Sequence, residues 1–302
     1  MKLKENKKKI LSVFIIIVVI LTIILNFYYI KYANGLTLIQ LHDNSSRQMM
    51  GYVLKTKNKT VVIDGGLKED AQNLIDNINR VGGGKVDVWF ITHPHMDHAQ
   101  AFMEIVQNTE IEIGKVYVTL NEIDWYKQNE TSRIEEIQNF FSIIESDRLK
   151  GKVEEVYLNQ TINIDNLECE IIGIKNPEIT TNPINNSSMV IKMNINDKSM
   201  LFLADTGKES GQKLLQNQKD KLKADIVQMA HHGQNGADRD VYEAINPEIC
   251  LWPTPEWLWN NNPGTGYNTG NWTTLETRSW MEQLGVKINY VEKDGDISFR
   301  VW

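Results

Sequence analysis

The run Val86-Asp87-Val88-Trp89-Phe90-Ile91-Thr92-His93-Pro94-His95-Met96-Asp97-His98 sets three imidazoles and a carboxylate directly behind a short apolar stretch. Such a stretch, too short for a helix and rich in Val, Ile and aromatic residues, reads as a buried strand. Neutral imidazole nitrogen and carboxylate oxygen are the usual ligands of zinc and similar divalent ions. A strand end delivers several of them to one point from a rigid support. Chance does not readily produce the cluster, because the whole chain of 302 residues contains 6 His. The stretch predicts a metal site at the end of a strand.

Three further runs share the same grammar, an apolar strand closed by a metal-competent side chain near glycine. They are Val61-Val62-Ile63-Asp64-Gly65-Gly66, Met200-Leu201-Phe202-Leu203-Ala204-Asp205-Thr206-Gly207 and Ala224-Asp225-Ile226-Val227-Gln228-Met229-Ala230-His231-His232-Gly233. In order and spacing these elements resemble the metallo-beta-lactamase superfamily, whose signature is His-x-His-x-Asp-His. The resemblance implies an α/β fold, a four-layer αββα sandwich. It also implies a metal-dependent hydrolase holding two divalent ions, zinc first and manganese as the alternative, with a metal-bound hydroxide as nucleophile. On that basis His93 and His95 hold the first metal, Asp97 and His98 the second, Asp205 bridges them, and His232 completes the set. Asp97 and His232 are the catalytic candidates, Asp97 orienting the hydroxide and accepting its proton. His231 is left to stand behind the ligands or face the substrate. Asp64 is expected to orient a ligand, because a metal-bound imidazole needs an acceptor for its other nitrogen.

Within the superfamily the chain resembles the soluble hydrolase domain of bacterial competence DNA-uptake channel proteins. Asn185-Asn186-Ser187-Ser188-Met189-Val190-Ile191, Leu203 to Gly207, His231-His232-Gly233, Asn246-Pro247-Glu248-Ile249-Cys250-Leu251 and Asp294-Gly295-Asp296-Ile297 carry this likeness. In that group an Asn/Ser segment stands where other members place a further His, and here no His lies between His98 and His231. Ser187 and Ser188 are therefore candidates to hydrogen-bond a substrate or a metal-bound water. They equally suit a polar turn before a strand. The pattern departs at Ala99-Gln100-Ala101, where the group usually has glycines, and at Leu41-His42-Asp43-Asn44-Ser45-Ser46, where it has an Asp-Val-Gly-Gln-Gly turn. These departures bear on the substrate more than on the metals.

From Ile10 to Ile30 the chain carries no charge and is almost wholly apolar. About twenty residues at about 1.5 Å each span a bilayer core of roughly 30 Å. Lys2, Lys4, Lys7, Lys8 and Lys9 precede it, which puts the N-terminus in the cytoplasm and the rest outside. Its length and the missing Ala-x-Ala site favour an uncleaved membrane anchor over a signal peptide. The expected organisation is a basic segment 1–9, an anchor 10–30, a tether 31–35 and a hydrolase domain 36–302. The channel proteins carry many membrane helices, whereas this chain carries one.

Helices are expected at Leu67 to Val81, Ala99 to Gln107, Ser132 to Ser146 and Leu275 to Leu284. Additional strands are expected at Leu36 to Leu41, Gly51 to Thr56, Lys115 to Thr119, Val153 to Leu158, Met189 to Met193 and Lys287 to Val291. The net charge of -7 argues against avid, nonspecific binding of a long nucleic acid. The resemblance to the competence-type domain, through its Asn/Ser segment, implies a small-molecule or nucleic-acid phosphodiester as the expected substrate. An amide or ester such as a beta-lactam or lactone is the alternative, and a non-catalytic binding module on the same fold is the third reading. Composition says nothing of oligomeric state. Cys169 and Cys250 each lie in an apolar run and are expected to be unpaired core thiols, although an exported domain permits a disulfide. The Trp252 to Trp272 stretch reads as a long loop, serving either as a binding lid or as a flap tucked onto the core.

Overall fold

The computed structural model describes the backbone of residues 2–302 and side chains from residue 10 onward. The basic segment 1–9, on which the expected orientation rests, has its side chains outside the described residues. Helix α1 (Lys2–Ala33) contains the apolar stretch, and Ile10–Ala33 has a mean hydropathy of 3.1 with none of it buried. Its length and composition suit a membrane span or a signal sequence.

Beyond it the strands are β1 (Leu36–Gln40), β2 (Gly51–Lys55), β3 (Thr60–Asp64), β4 (Lys85–Ile91), β5 (Glu112–Val118), β6 (Val153–Glu155) and β7 (Thr161–Ile164). They continue with β8 (Leu167–Gly173), β9 (Val190–Ile195), β10 (Lys198–Phe202), β11 (Ile226–Gln228), β12 (Ile249–Trp252), β13 (Ile288–Val291) and β14 (Ile297–Val301). The helices are α2 (Ala71–Gly82), α3 (Met96–Asn108), α4 (Ile123–Asn129), α5 (Ile134–Ile144), α6 (Lys208–Leu222), α7 (Arg239–Ile245), α8 (Glu256–Trp259) and α9 (Thr274–Gln283). One sheet runs β14-β1-β2-β3-β4-β5-β6 and the other β13-β12-β11-β10-β9-β8-β7.

Alternation along the strands builds three apolar layers. Between the sheets lie Leu38, Leu54, Ile63, Phe90, Met193, Met200 and Phe202, with Tyr52 edge-on to Phe202 at 5.2 Å. Outside the first sheet, Val62, Trp89 and Val116 meet Leu74 and Ile78 of α2, Phe102 of α3 and Phe140 of α5. Outside the second, Val227 and Cys250 meet Leu214, Tyr242 and Met281 from α6, α7 and α9. Burying each such large side chain contributes roughly 1.5–3 kcal/mol. The result is the four-layer αββα sandwich. Cys169 faces the inter-sheet layer and Cys250 the outer one, and both are free thiols.

Strand direction decides where chemistry can gather. β1 and β3 are both antiparallel to β2, and β4 is parallel to β3, so β1, β3 and β4 end at the same edge. In the second sheet β10, β11 and β12 run parallel and end together. All these carboxyl ends meet at one rim of the sandwich, where α/β folds commonly place ligands.

The base of α1 is clasped to the opposite edge. Arg300 donates to the Tyr32 carbonyl at 2.9 Å and its guanidinium lies over the Tyr32 ring at 5.2 Å. Trp302 meets Tyr28 and Tyr32 edge-on at 6.3 and 5.7 Å, and Lys31 pairs with Asp197 at 2.5 Å.

Candidate metal centre

β4 is buried from Val88 to Ile91 and sits between β3 and β5, so the residues after Ile91 are delivered to a fixed point. His95, with extended backbone, precedes α3, and its carbonyl accepts from the Ala99 amide at 2.9 Å. Asp97 and His98 then fall in the first helical turn. The turn after β3 seats that helix. The Gly66 carbonyl accepts from the Ala101 amide at 2.9 Å, and a Cβ on Gly66 (φ +89) would stand 2.6 Å from Met49 and 2.7 Å from Asp70. Only glycine fits this close, left-handed position.

The side chains converge in two groups, His93 with His95 and Asp205, and Asp97 with His98 and His232. Within the first, His93 Nε2 and His95 Nδ1 face each other at 3.1 Å. Asp205 lies between the groups. Its Oδ1 is 3.2 Å from His98 Nε2 and 3.6 Å from His232 Nε2, and its Oδ2 is 3.8 Å from His93 Nε2. His232 Nε2 is 3.3 Å from Asp97 Oδ2.

A buried polar atom without a hydrogen-bond partner is costly, and here such atoms cluster. His98 Nε2, His232 Nε2, His95 Nε2 and Asp205 Oδ1 are all buried without one. Divalent cations would satisfy a donor set of imidazole nitrogens and carboxylate oxygens gathered in this way. The residues present fit a binuclear metal centre.

Hydrogen bonds behind the site aim the rings. Asp64 Oδ2 takes the His98 Nδ1 proton at 2.7 Å and the Thr92 hydroxyl proton at 2.7 Å, while Oδ1 accepts from the Thr92 amide at 2.8 Å. Thr92 Oγ1 in turn accepts from His93 Nδ1 at 3.1 Å. One carboxylate thus sets His98 directly and His93 through a hydroxyl. His232 Nδ1 donates to the Pro253 carbonyl at 2.9 Å. Each of these rings is left with Nε2 toward the centre.

Backbone strain accompanies this arrangement. Asp64, Ala204, His231 and His232 all have positive φ, between 49 and 55°. Left-handed backbone costs a non-glycine residue roughly 1–2 kcal/mol, and such strain gathers at functional sites. Gly233, at φ +78, passes so close to Trp252 that a Cβ would sit 2.6 Å from the indole.

Electrostatics follow from burial and crowding. Burial depresses the basicity of His93, and it lowers His95 to about 4. Burial also works against protonation of His98 and His232, but Asp205, with Asp64 for the former and Asp97 for the latter, overcomes it. Both are raised, His232 to about 10. Asp97 and Asp205 are held well below the ordinary carboxylate range despite burial, Asp97 chiefly by His232 and then His98, Asp205 chiefly by His98 and then His232. Without metal, protons on His98 and His232 take the place of cationic charge between the carboxylates.

The other expected residues fall in distinct places. Ser188 Oγ accepts from the Asp205 amide at 3.2 Å and lies 3.3 Å from His93 Nδ1, so it braces both strands' contributions. Ser187 is turned away: its Oγ bonds Asn121 at 3.3 Å and the Asn176 amide at 3.2 Å, because the 3-10 turn at Asn185–Ser187 points alternate side chains in different directions. His231 faces the cavity with its Nε2 3.0 Å from Asn185 Nδ2. The cavity over the centre has a volume of about 320 Å³ and is lined by Gln48, His95, Asp97, Glu130, Arg133, Asn182, Asn185, Asp205 and His231. Gln48, Glu130, Arg133 and Asn182 carry no motif and were not expected. They come from loops whose proximity only the fold creates. Trp252 is buried, Trp259 packs on it at 5.2 Å beneath Arg278, and Trp257 meets Trp272 at 4.9 Å, so the long loop is tucked on its own aromatics. His42 is bound to Asp296 at 2.7 Å.

Comparison with known proteins places the site in context. Residues 50–248 match the profile of the metallo-beta-lactamase superfamily. ComE operon protein 3 of Bacillus subtilis is 25% identical over 186 residues, covering 59% of this chain and 21% of that protein. The chain thus spans about a fifth of that relative's length. The metallo-beta-lactamase fold protein YhfI of Bacillus subtilis superposes with a TM-score of 0.53 at 10% identity, over 88% of this chain and 100% of the other. CmlA of Streptomyces venezuelae, a diiron beta-hydroxylase, superposes with a TM-score of 0.55 at 12% identity, over 89% of this chain and 54% of the other. At these identities the structural likenesses establish the fold alone, and a fold does not choose a reaction.

Proposed function

Because the chain belongs to the metallo-beta-lactamase superfamily, and with its His and Asp motifs intact is a metal-dependent hydrolase, we propose that the bond it cleaves is a phosphodiester. We further propose zinc or manganese as the metal, and α1 as an uncleaved anchor that holds the domain outside the cytoplasm. The observation that carries the substrate reading is the cavity lining, in which every side chain is polar. A lactam or acyl ester presents apolar surface that such walls would leave unmatched, whereas a phosphodiester is charged and well hydrated. The Asn185 to Ser188 segment, through which the chain resembles the hydrolase domain of competence DNA-uptake channel proteins, favours the same choice.

Two divalent ions, when bound, would supply a Lewis acid for the attacked centre and would bring the pKa of water toward neutrality. The chain's own residues do the rest. His93, His95 and Asp205 would hold one ion, and Asp97, His98 and His232 the other, with Asp205 shared. Asp97 keeps its carboxylate ionised, and Gln48 Nε2 fixes Oδ2 by a hydrogen bond of 3.0 Å. It orients the attacking water and accepts its proton. His231 and Asn185 face the reacting phosphate and hold it by hydrogen bonds. Asp64, Thr92 and Ser188 keep the ligands aimed, so little reorganisation accompanies the reaction.

The test uses the full chain in detergent, stripped by a chelator and reloaded with zinc or manganese. Bis(p-nitrophenyl) phosphate, a chromogenic beta-lactam and a simple lactone are then compared, with Asp97→Asn as control. Metal-restored cleavage of the phosphodiester that disappears in the variant supports the reading. Cleavage of the lactam or lactone alone overturns it. Cysteine labelling of single surface sites in intact cells checks the side of the membrane, and the size of the mature chain checks that α1 is retained.

A further inference from the structure

Arg133 is the one fixed positive charge among the residues that line the metal cavity. It stands on the 3-10 turn Thr131–Arg133 between α4 and α5, held by its own amide bonding the Glu130 carbonyl at 3.0 Å. The side chain is 47% exposed, and its partner among the described residues is Glu136, in a loose ion pair at 3.8 Å. Most other arginines here are committed. Arg148 caps the carbonyls of Val106 and Ile111, Arg278 covers Trp259, and Arg300 clasps α1. Three carboxylates share the cavity with Arg133. Asp97 and Asp205 belong to the metal groups, and burial raises the Glu130 carboxyl above its usual range while Arg133 works against that rise. None of them comes within ion-pair distance of the guanidinium, although Arg133 acts on the Glu130 carboxyl through space, and the Arg133 side chain lines the cavity.

A planar guanidinium held only by a loose ion pair and lining a polar cavity matches phosphate or carboxylate oxygens. The metals would already meet the charge of the scissile group. We propose that Arg133 forms a second anion subsite, which binds a non-scissile phosphate next to the bond being cut and so selects substrates carrying two phosphates over those carrying one. This deepens the phosphodiesterase reading and rests on it for the identity of the anion. Arg133 is a binding residue here and takes no part in the bond-breaking step.

Two readouts separate this inference from the reading beneath it. Binding of thymidine 5′-monophosphate and thymidine 3′,5′-bisphosphate to the metal-loaded full chain is measured by calorimetry, for the wild type, Arg133→Gln and Arg133→Lys. Turnover of TpT and pTpT is measured on the same proteins. The wild type is expected to prefer the bisphosphate by about tenfold, the scale of one charge-assisted contact. The preference should shrink to about twofold or less in Arg133→Gln, survive in part in Arg133→Lys, and appear as a matching loss of kcat/KM for pTpT alone. Equal weakening of both nucleotides, or an unchanged preference, overturns the subsite. If neither dinucleotide is cleaved while the bisphosphate preference still depends on Arg133, the subsite stands and the phosphodiesterase reading falls.

Discussion

Replacing Asp64 by Asn should disable both halves of the metal centre without touching a ligand. Asn tolerates the left-handed backbone at this position (φ 54°) and preserves the shape of the side chain. What changes is donor and acceptor chemistry. The amide oxygen can keep the Thr92 amide bond of 2.8 Å, which places the new NH2 where Oδ2 now accepts two protons. Facing that donor, His98 must accept through Nδ1, and its proton moves to Nε2, the atom needed for metal. The Thr92 hydroxyl, no longer able to donate to position 64, turns toward His93 Nδ1 and imposes the same tautomer there. One ligand of each group is thereby blocked. Loss of such a supporting partner costs roughly 10–100-fold in metal affinity, and here the loss falls on both groups. The assay is competition for zinc against a chromogenic chelator, resolved into its two binding steps, with circular dichroism confirming the fold. Thr92→Val serves as the partial case, affecting the His93 group alone. If Asp64→Asn binds both ions with unchanged affinity, or weakens only one step, the relay described above is wrong.

Two further outcomes follow from the geometry. Metal binding should strengthen with pH. The metal-free His232 carries its proton up to about 10 and His98 is also raised, so metal must expel protons at neutral pH. Between pH 6.5 and 9 the apparent zinc affinity is expected to rise by about tenfold or more per unit, with proton release seen by calorimetry in buffers of different ionisation enthalpy. A flat profile would count against the protonated pair. Gly233→Ala forces a methyl group to within 2.6 Å of Trp252 at φ +78. It should cost about 2–4 kcal/mol, read as a Tm lowered by roughly 5–10 °C together with weaker metal binding through the displaced His232. A variant as stable as the parent would show that the loop has room to relax.

Much of the site was legible because its residues sit at strand ends, where an apolar run announces the strand and the following polar residues announce the rim. The apolar runs Val86 to Ile91 and Val61 to Ile63 both fold as strand, within β4 and β3. The helix over Leu67 to Val81 divides into a 3-10 turn at Lys68–Asp70 and α2, because the Asp70 carboxylate turns back to the Leu67 amide at 2.8 Å and tightens the first turn. Helix α6 escaped notice because its polar sequence buries only a narrow strip, including Leu214 and Leu222. β7 is only four residues long, with exposed Thr161 and Asn163 alternating with buried Ile162 and Ile164. Arg133, Gln48 and Glu130 could not be read at all. Gln48 and Glu130 lie between elements, and Arg133 lies within the stretch read as the helix Ser132 to Ser146, where nothing marks it as facing a cavity; the place of each is made by packing between elements distant in sequence.

The clasp at the base of α1 fixes more than an attachment. β1 begins at the clasp and runs toward the rim that carries the metal centre, five residues at about 3.3 Å each, or about 17 Å. If α1 crosses a bilayer and holds the domain outside, both as proposed, the domain stands on it like a lamp on a bracket, with the aperture on the far side from the lipid. Arg300, Trp302 and Asp197 oppose swivelling of that bracket. Headgroups in the plane of the membrane are then out of reach, while a chain or small molecule arriving from the aqueous side meets the cavity head-on. Such an enzyme would survey what approaches the cell rather than what lies in its surface.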